Sequence, residues 1–142
     1  LSTILQKVYI YARYANTAFI LIDLTGPFAN EAEFNAALVA IHEDAMSKAQ
    51  QGSLVEGALA QNKHKVVLTH GDLRGRNIIV AGDRIVGLLD WETCGWYPEY
   101  WEFVKSFNVL PWLKGWPSFV LLVLSPFYRE WAVYDIVTRH VW

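Results

Sequence analysis

Cysteine occurs once in this chain, at position 94, so no internal disulfide framework can form. A lone thiol fits a reducing compartment, and Cys94 itself reads as an incidental small apolar residue. Charge is also scarce: Asp, Glu, Lys and Arg make up 18% of the 142 residues, below the usual quarter, and the formal net charge is −2. Lys and Arg are scattered, which leaves no basic face for a phosphate backbone. Long apolar runs are missing too. The longest uncharged stretch, Gly115 to Tyr128, has prolines near both ends and is shorter than the roughly 20 residues a membrane span needs. No positively charged start followed by an apolar block and a small-residue cleavage site opens the sequence. Together these absences predict a soluble, cytoplasmic protein with no nucleic-acid and no membrane partner.

What is present is apolar. Residues of the hydrophobic class reach 54%, aromatics 15%, and there are 7 tryptophans. A chain of this length folds by default as one domain, residues 1–142, with its own core. So much sticky surface is hard for one small domain to hide, and it predicts a covering partner, either a further lobe or an oligomer mate.

No internal repeat or low-complexity tract interrupts the pattern. The clearest helix runs from Glu31 to about Gln50, with Asn30 as cap, Glu33 three residues later as in a capping box, and Phe34, Leu38, Ile41 and Ala45 at helical spacing. Gly52 then stops it. From Lys65 the period changes: Val66-Val67-Leu68 reads as a short buried strand, Asn77 to Val80 as another. Arg84 to Asp90 pairs back on the second across the Ala81-Gly82-Asp83 turn. Pro98 suits the first turn of a helix carrying Tyr100, Trp101, Phe103, Val104 and Phe107, a spread wide enough to bury more than one side. Trp91 is expected in the core beside them. Two further helices, Phe119 to Leu124 and Phe127 to Val141, part at Pro126. Ile4, Val8, Tyr11 and Ala15 suit a helix, whereas Ala18 to Leu24 fits a strand equally well.

The polar cluster in Val66 to Val80, "VVLTHGDLRGRNIIV", carries the chemistry. Phosphoryl transfer needs a carboxylate to orient the acceptor hydroxyl and take its proton, and oxygen ligands that hold magnesium on the nucleotide phosphates. The kinase solution is Asp, four residues, Asn, then a hairpin and a second Asp. Here Asp72 precedes Asn77 by that spacing, and Asp90 follows the predicted hairpin. Arg74 and Arg76 have no assigned role and read as solvated loop charges. His42, His64 and His140 stand alone, as surface or filler residues, which disfavours a metal-hydrolase reading of His70 and Asp72. Glu92, Glu99 and Glu102 lie among Trp96, Tyr97 and Trp101. That group reads as helix packing before it reads as a cation site.

His70-Gly71-Asp72, Asn77 and Leu89-Asp90-Trp91-Glu92 resemble the motifs of the aminoglycoside phosphotransferase-like family. Gly26-Pro27-Phe28, Asn30 to Asn35 and Gly95 to Glu102 are most similar to its fungal branch. The resemblance runs from about Gly26 to Tyr134 and implies an α+β, mainly α-helical fold: the C-terminal lobe of the kinase-like fold, whose small hairpin carries the catalytic and metal loops. It implies Asp72 as catalytic base, His70 as the brace of its loop, and Asn77 and Asp90 as the magnesium and cofactor ligands. ATP and Mg2+ would be the cofactors and a small-molecule hydroxyl the acceptor. No glycine-rich loop precedes Phe28, and Lys7 is a poor match for the family's nucleotide-lobe lysine, because Glu31 and Glu33 belong to a motif that follows that lobe. Two readings result: an ATP-dependent phosphotransferase represented by its C-terminal lobe, or a truncated, non-catalytic remnant or interaction module of the same fold. For these residues acting alone, the second is expected.

Overall fold

Val8–Tyr14 and Ala18–Leu24, both rich in β-branched and aromatic residues, form strands β1 and β2 of an antiparallel hairpin in which Val8 lies opposite Leu24 and Tyr14 opposite Ala18. The helix expected through Val8 and Tyr11 is therefore a strand. The computed structural model describes residues 8–14, 18–24, 28–40, 53, 57–59, 64–107 and 114–139. Helix α1 spans Glu31–Ala40. The remainder of the predicted helix to Gln50 lies outside the described residues, as do Gly52, Lys7, His42 and His140.

The start of α1 follows the expected cap closely. Asn30 Oδ1 accepts the Glu33 N–H at 3.0 Å, while Glu33 reaches back to the Ala29 N–H at 2.9 Å, one residue earlier than in the usual capping box. Beyond the 64–65 segment, β3 (Val66–Thr69) pairs antiparallel with β6 (Gly95–Pro98), and β4 (Ile78–Ala81) with β5 (Arg84–Leu88). The β4–β5 hairpin is the one expected. Strand β6 was not expected, and it corrects the reading of Pro98: this proline ends a strand opposite Val66, and the helix, α2, begins at Trp101. A strand end tolerates proline because no further ladder donor is required there. Strand β3 is also less buried than predicted, with Leu68 59% exposed.

Helices α2 (Trp101–Phe107), α3 (Trp116–Val123) and α4 (Tyr128–Arg139) complete the described elements. The fold is thus α+β, with helices taking more of the described chain than strands. Its core centres on α2, buried on more than one side as its residue pattern predicts: Trp101, Phe103, Val104 and Ser106 are all inaccessible. Phe34 of α1 meets the Trp101 ring edge-on at 5.0 Å, and Tyr134 of α4 does so at 5.4 Å. Edge-to-face pairs of this kind add roughly 0.5–1.5 kcal/mol beyond area burial. A second cluster joins Phe103 to Trp116 and Val120 of α3. No helix among the described residues is long and apolar enough to cross a membrane.

Candidate functional site

Strand β3 delivers the chain into a loop that the rest of the fold grips from three sides. Gly71 adopts φ +80°, and a Cβ there would come 2.6 Å from the Thr93 carbonyl oxygen, so glycine is required both for conformation and for space. Thr93 donates its hydroxyl to the His70 carbonyl at 3.1 Å. From α2, the Glu102 carboxylate accepts the N–H groups of His70 at 2.6 Å and Gly71 at 3.2 Å. Its role is therefore internal. Burial raises the Glu102 pKa, and the N–H groups of Gly71 and His70 oppose that rise.

His70 ties the two halves of the site together. Its Nδ1 accepts the Asp72 N–H at 3.2 Å, which places the ring proton on Nε2, and Nε2 donates to the Leu89 carbonyl at 2.8 Å. The Leu89 N–H in turn bonds the Asn77 carbonyl at 2.8 Å. Asn77 Nδ2 donates to the Asp72 backbone carbonyl at 2.9 Å and to Asp72 Oδ2 at 3.0 Å. His70, Asp72 and Asn77 are all buried and form one hydrogen-bonded unit. Asp90 joins it through the backbone, as the neighbour of Leu89. It is exposed, makes no side-chain hydrogen bond to the other three, and holds a left-handed backbone, φ 64° and ψ 62°. It is the sole non-glycine with positive φ among the described residues.

The donor set suits a hard cation. With its amide nitrogen committed to Asp72, Asn77 keeps the amide oxygen, which accepts no hydrogen bond among the described residues, and Asp90 keeps both carboxylate oxygens. No cluster of three or more His, Cys, Asp or Glu side chains able to hold a metal occurs among the described residues. An amide and a carboxylate would have to share a cation with phosphate oxygens or water.

Four expectations need correction. Arg74 is not a solvated charge: its Nε pairs with Asp72 Oδ1, while Arg76 stands 3.7 Å from Oδ2 with its side chain 65% exposed. Trp91 is not core: it is 45% exposed, with its indole N–H on the Leu88 carbonyl and its ring tilted 4.7 Å from that of His70. His64 is not filler. It lies 2.7 Å from Glu31 Oε1 and 3.4 Å from Glu130 Oε1, with its side chain only 8% exposed. Glu99, like Glu102, serves the backbone, accepting the Lys65 N–H at 3.1 Å. Trp101 packs in the core as the helix-packing reading had it, Tyr97 packs there from strand β6 and not from a helix, and Trp96 is exposed.

Sequence reasoning missed Lys105. This lysine lies in α2, buried, with its ammonium 5.9 Å from the Trp101 ring centre. Burial lowers its pKa to about 8, with Asp72 and Glu102 opposing the shift and Arg74 adding to it. The one available signal was a charged residue at a position surrounded by Phe103, Val104 and Phe107 in sequence.

A family model for the phosphotransferase enzyme family matches residues 17–124, a span that contains the whole loop, the β4–β5 hairpin and α2. The chain belongs to this family. None of the curated proteins and none of the solved structures matches it significantly. For a phosphotransferase family member, the buried Asp72–Asn77 unit and the turn bearing Asp90 form the candidate active site.

Proposed function

We propose that this family member carries the acceptor and metal half of an ATP- and magnesium-dependent phosphotransferase acting on a hydroxyl of a small molecule. In this reading the chain corresponds to the C-terminal lobe of the kinase-like fold, nearest the fungal branch of the family, and works in the cytoplasm. A nucleotide lobe or an oligomer mate would be its partner. The observation that carries the reading is the Asn77 side chain, which fixes Asp72 with its nitrogen and leaves its oxygen for a cation. Asp72 takes the proton of the acceptor hydroxyl as that oxygen bonds to the γ-phosphorus and the bond to the β-phosphate oxygen breaks. His70 keeps the Asp72 backbone and the Leu89–Asp90 turn in register. Asn77 and Asp90 would hold the magnesium ion, whose chemistry is to neutralise phosphate charge.

A second reading, a non-catalytic module of the same fold, draws support from Arg74. Its guanidinium already occupies Asp72 Oδ1, and Asn77 occupies Oδ2, so the carboxylate has both oxygens engaged. Calorimetry with ATP and magnesium, followed by a radiolabel transfer assay on small alcohols and amino sugars, separates the two. The 142-residue chain should bind magnesium–nucleotide weakly and transfer nothing measurable. Joined to an N-terminal nucleotide lobe it should transfer, and Asp72→Asn should then remove about 10²–10⁴-fold of the rate. Robust, Asp72-dependent turnover by the chain alone refutes the non-catalytic reading. Normal transfer after Asp72→Asn in the joined form removes the base assignment.

A further inference from the structure

His64 lies outside the candidate site, at the foot of β3, and groups from three other segments close around its ring. The ring stands edge-on to Tyr100 and Phe127, with centres 4.8 and 5.8 Å away. Nδ1 is 2.7 Å from Oε1 of Glu31 on α1, whose Oε2 accepts the His64 N–H at 3.1 Å. Nε2 is 3.4 Å from Oε1 of Glu130 on α4. All three side chains are largely buried. Tyr100 is the further ionisable group facing the ring among the described residues. Burial, and then the charges of Glu31 and Glu130, raise its pKa well above 10, so it stays a neutral phenol.

The proton count decides what this arrangement can do. A neutral imidazole donates from one nitrogen and accepts at the other, whereas an ionised carboxylate only accepts. Both carboxylate contacts therefore close together only when the ring carries a proton on each nitrogen. Remove one proton, and a nitrogen lone pair faces a carboxylate oxygen in a buried place, where an unmade hydrogen bond is costly. The shorter contact and the backbone bond both belong to Glu31, so the Glu130 contact is the one that opens. We propose that His64 is a proton-dependent latch: doubly protonated, it ties both α1 and α4 to the foot of β3, and singly protonated it keeps α1 and releases α4. Glu130 has a further interaction, and Tyr134 of α4 packs on Trp101, so release loosens α4 without detaching it. The latch adjoins Lys65, whose backbone is bonded in both directions to Glu99 where β3 sets out toward His70. It is independent of the phosphoryl-transfer reading.

The test is nuclear magnetic resonance on the 142-residue chain, titrated upward from about pH 5 until the His64 ring has lost a proton. At the acid end both ring nitrogens should carry protons, and Nε2 should be the one that loses its proton. Across that same midpoint the α4 amides of Trp131 to Asp135 should come to exchange about tenfold faster, after correction for the intrinsic effect of pH. The α1 amides of Phe34 to Leu38 should change by less than about threefold. Glu130→Gln should remove the α4 step, because a carboxamide N–H donates to a neutral Nε2 and the second ring proton is no longer needed. The proposal is overturned by a ring with a single proton at the acid end, by loss of the Nδ1 proton instead, or by α4 amides that stay flat as the ring titrates. A step of full size in Glu130→Gln overturns it equally. If that variant does not fold, the parent titration decides alone.

Discussion

Gly71 is the position where a single atom decides the geometry of the site. A methyl group there meets the Thr93 carbonyl at 2.6 Å, and the backbone at φ +80° disfavours any L side chain. Gly71→Ala should therefore cost roughly 2–3 kcal/mol in chemical denaturation and weaken nucleotide binding by displacing His70 and Asp72. An unchanged denaturation midpoint would show that the loop does not need this conformation. Spacing alone picked out Asp72, Asn77 and Asp90, and three of the four predicted site residues form one bonded unit. What spacing does not carry is partnership across the fold. Glu102 reaches the loop from a helix some thirty residues later, and nothing local to "WEFVKSF" says which carboxylate meets which N–H. Arg74 is illegible for a local reason, because a loop arginine looks solvated until the orientation of its neighbour Asp72 is known.

At the level of elements, α2 is the pillar on which the loop stands, and its apolar face was readable. Trp101 is gripped by rings from α1 and α4, so Trp101→Ala should lower unfolding free energy by roughly 3–5 kcal/mol, whereas Trp91→Ala, at an exposed position, should cost under about 1 kcal/mol. Equal losses at the two tryptophans would contradict this core. Strand β6 escaped notice because Gly95-Trp96-Tyr97-Pro98 is short and ends in proline, and only its pairing with Val66 to Thr69 makes it a strand. The β1–β2 hairpin was ambiguous for a different reason: residues that are apolar on nearly every position fit both periods until a partner strand selects one.

For the molecule as a whole, buried ionisable groups set how stability follows pH. Lys105 falls to about 8 in the fold against 10.5 when free, so between those values the unfolded chain holds a proton that the folded chain has released. Stability from this group therefore rises with pH across that window, at up to about 1.4 kcal/mol per unit. Tyr100 acts in the opposite sense. Burial first, and then the charges of Glu31 and Glu130, push its pKa well above 10, so the folded chain keeps the phenol proton longer and stability falls as pH climbs through that value. Urea denaturation from pH 7 to 11 should show a rise and then a fall, and Lys105→Met should flatten the rise. A parent curve that declines steadily from pH 8 would contradict the buried cation.

Thr69 stands opposite Gly95 at the last rung of the β3–β6 ladder, so every predicted site residue belongs to one excursion of the chain, residues 70–94, whose two ends meet at a neck. Closing that neck also places Thr93 under His70, and the ladder continues outward through the Glu99 N–H on the Lys65 carbonyl at 2.8 Å. Such an excursion opens as a unit. Native-state hydrogen exchange in low denaturant should bring the amides of His70, Asn77 and Leu89 to one common opening isotherm, below that of the α2 core, and a separate isotherm for each would contradict a shared neck. The loop of the candidate site would then also be the segment first released, with Asp72, Asn77 and Asp90 dispersing together while the Trp101 core remains closed.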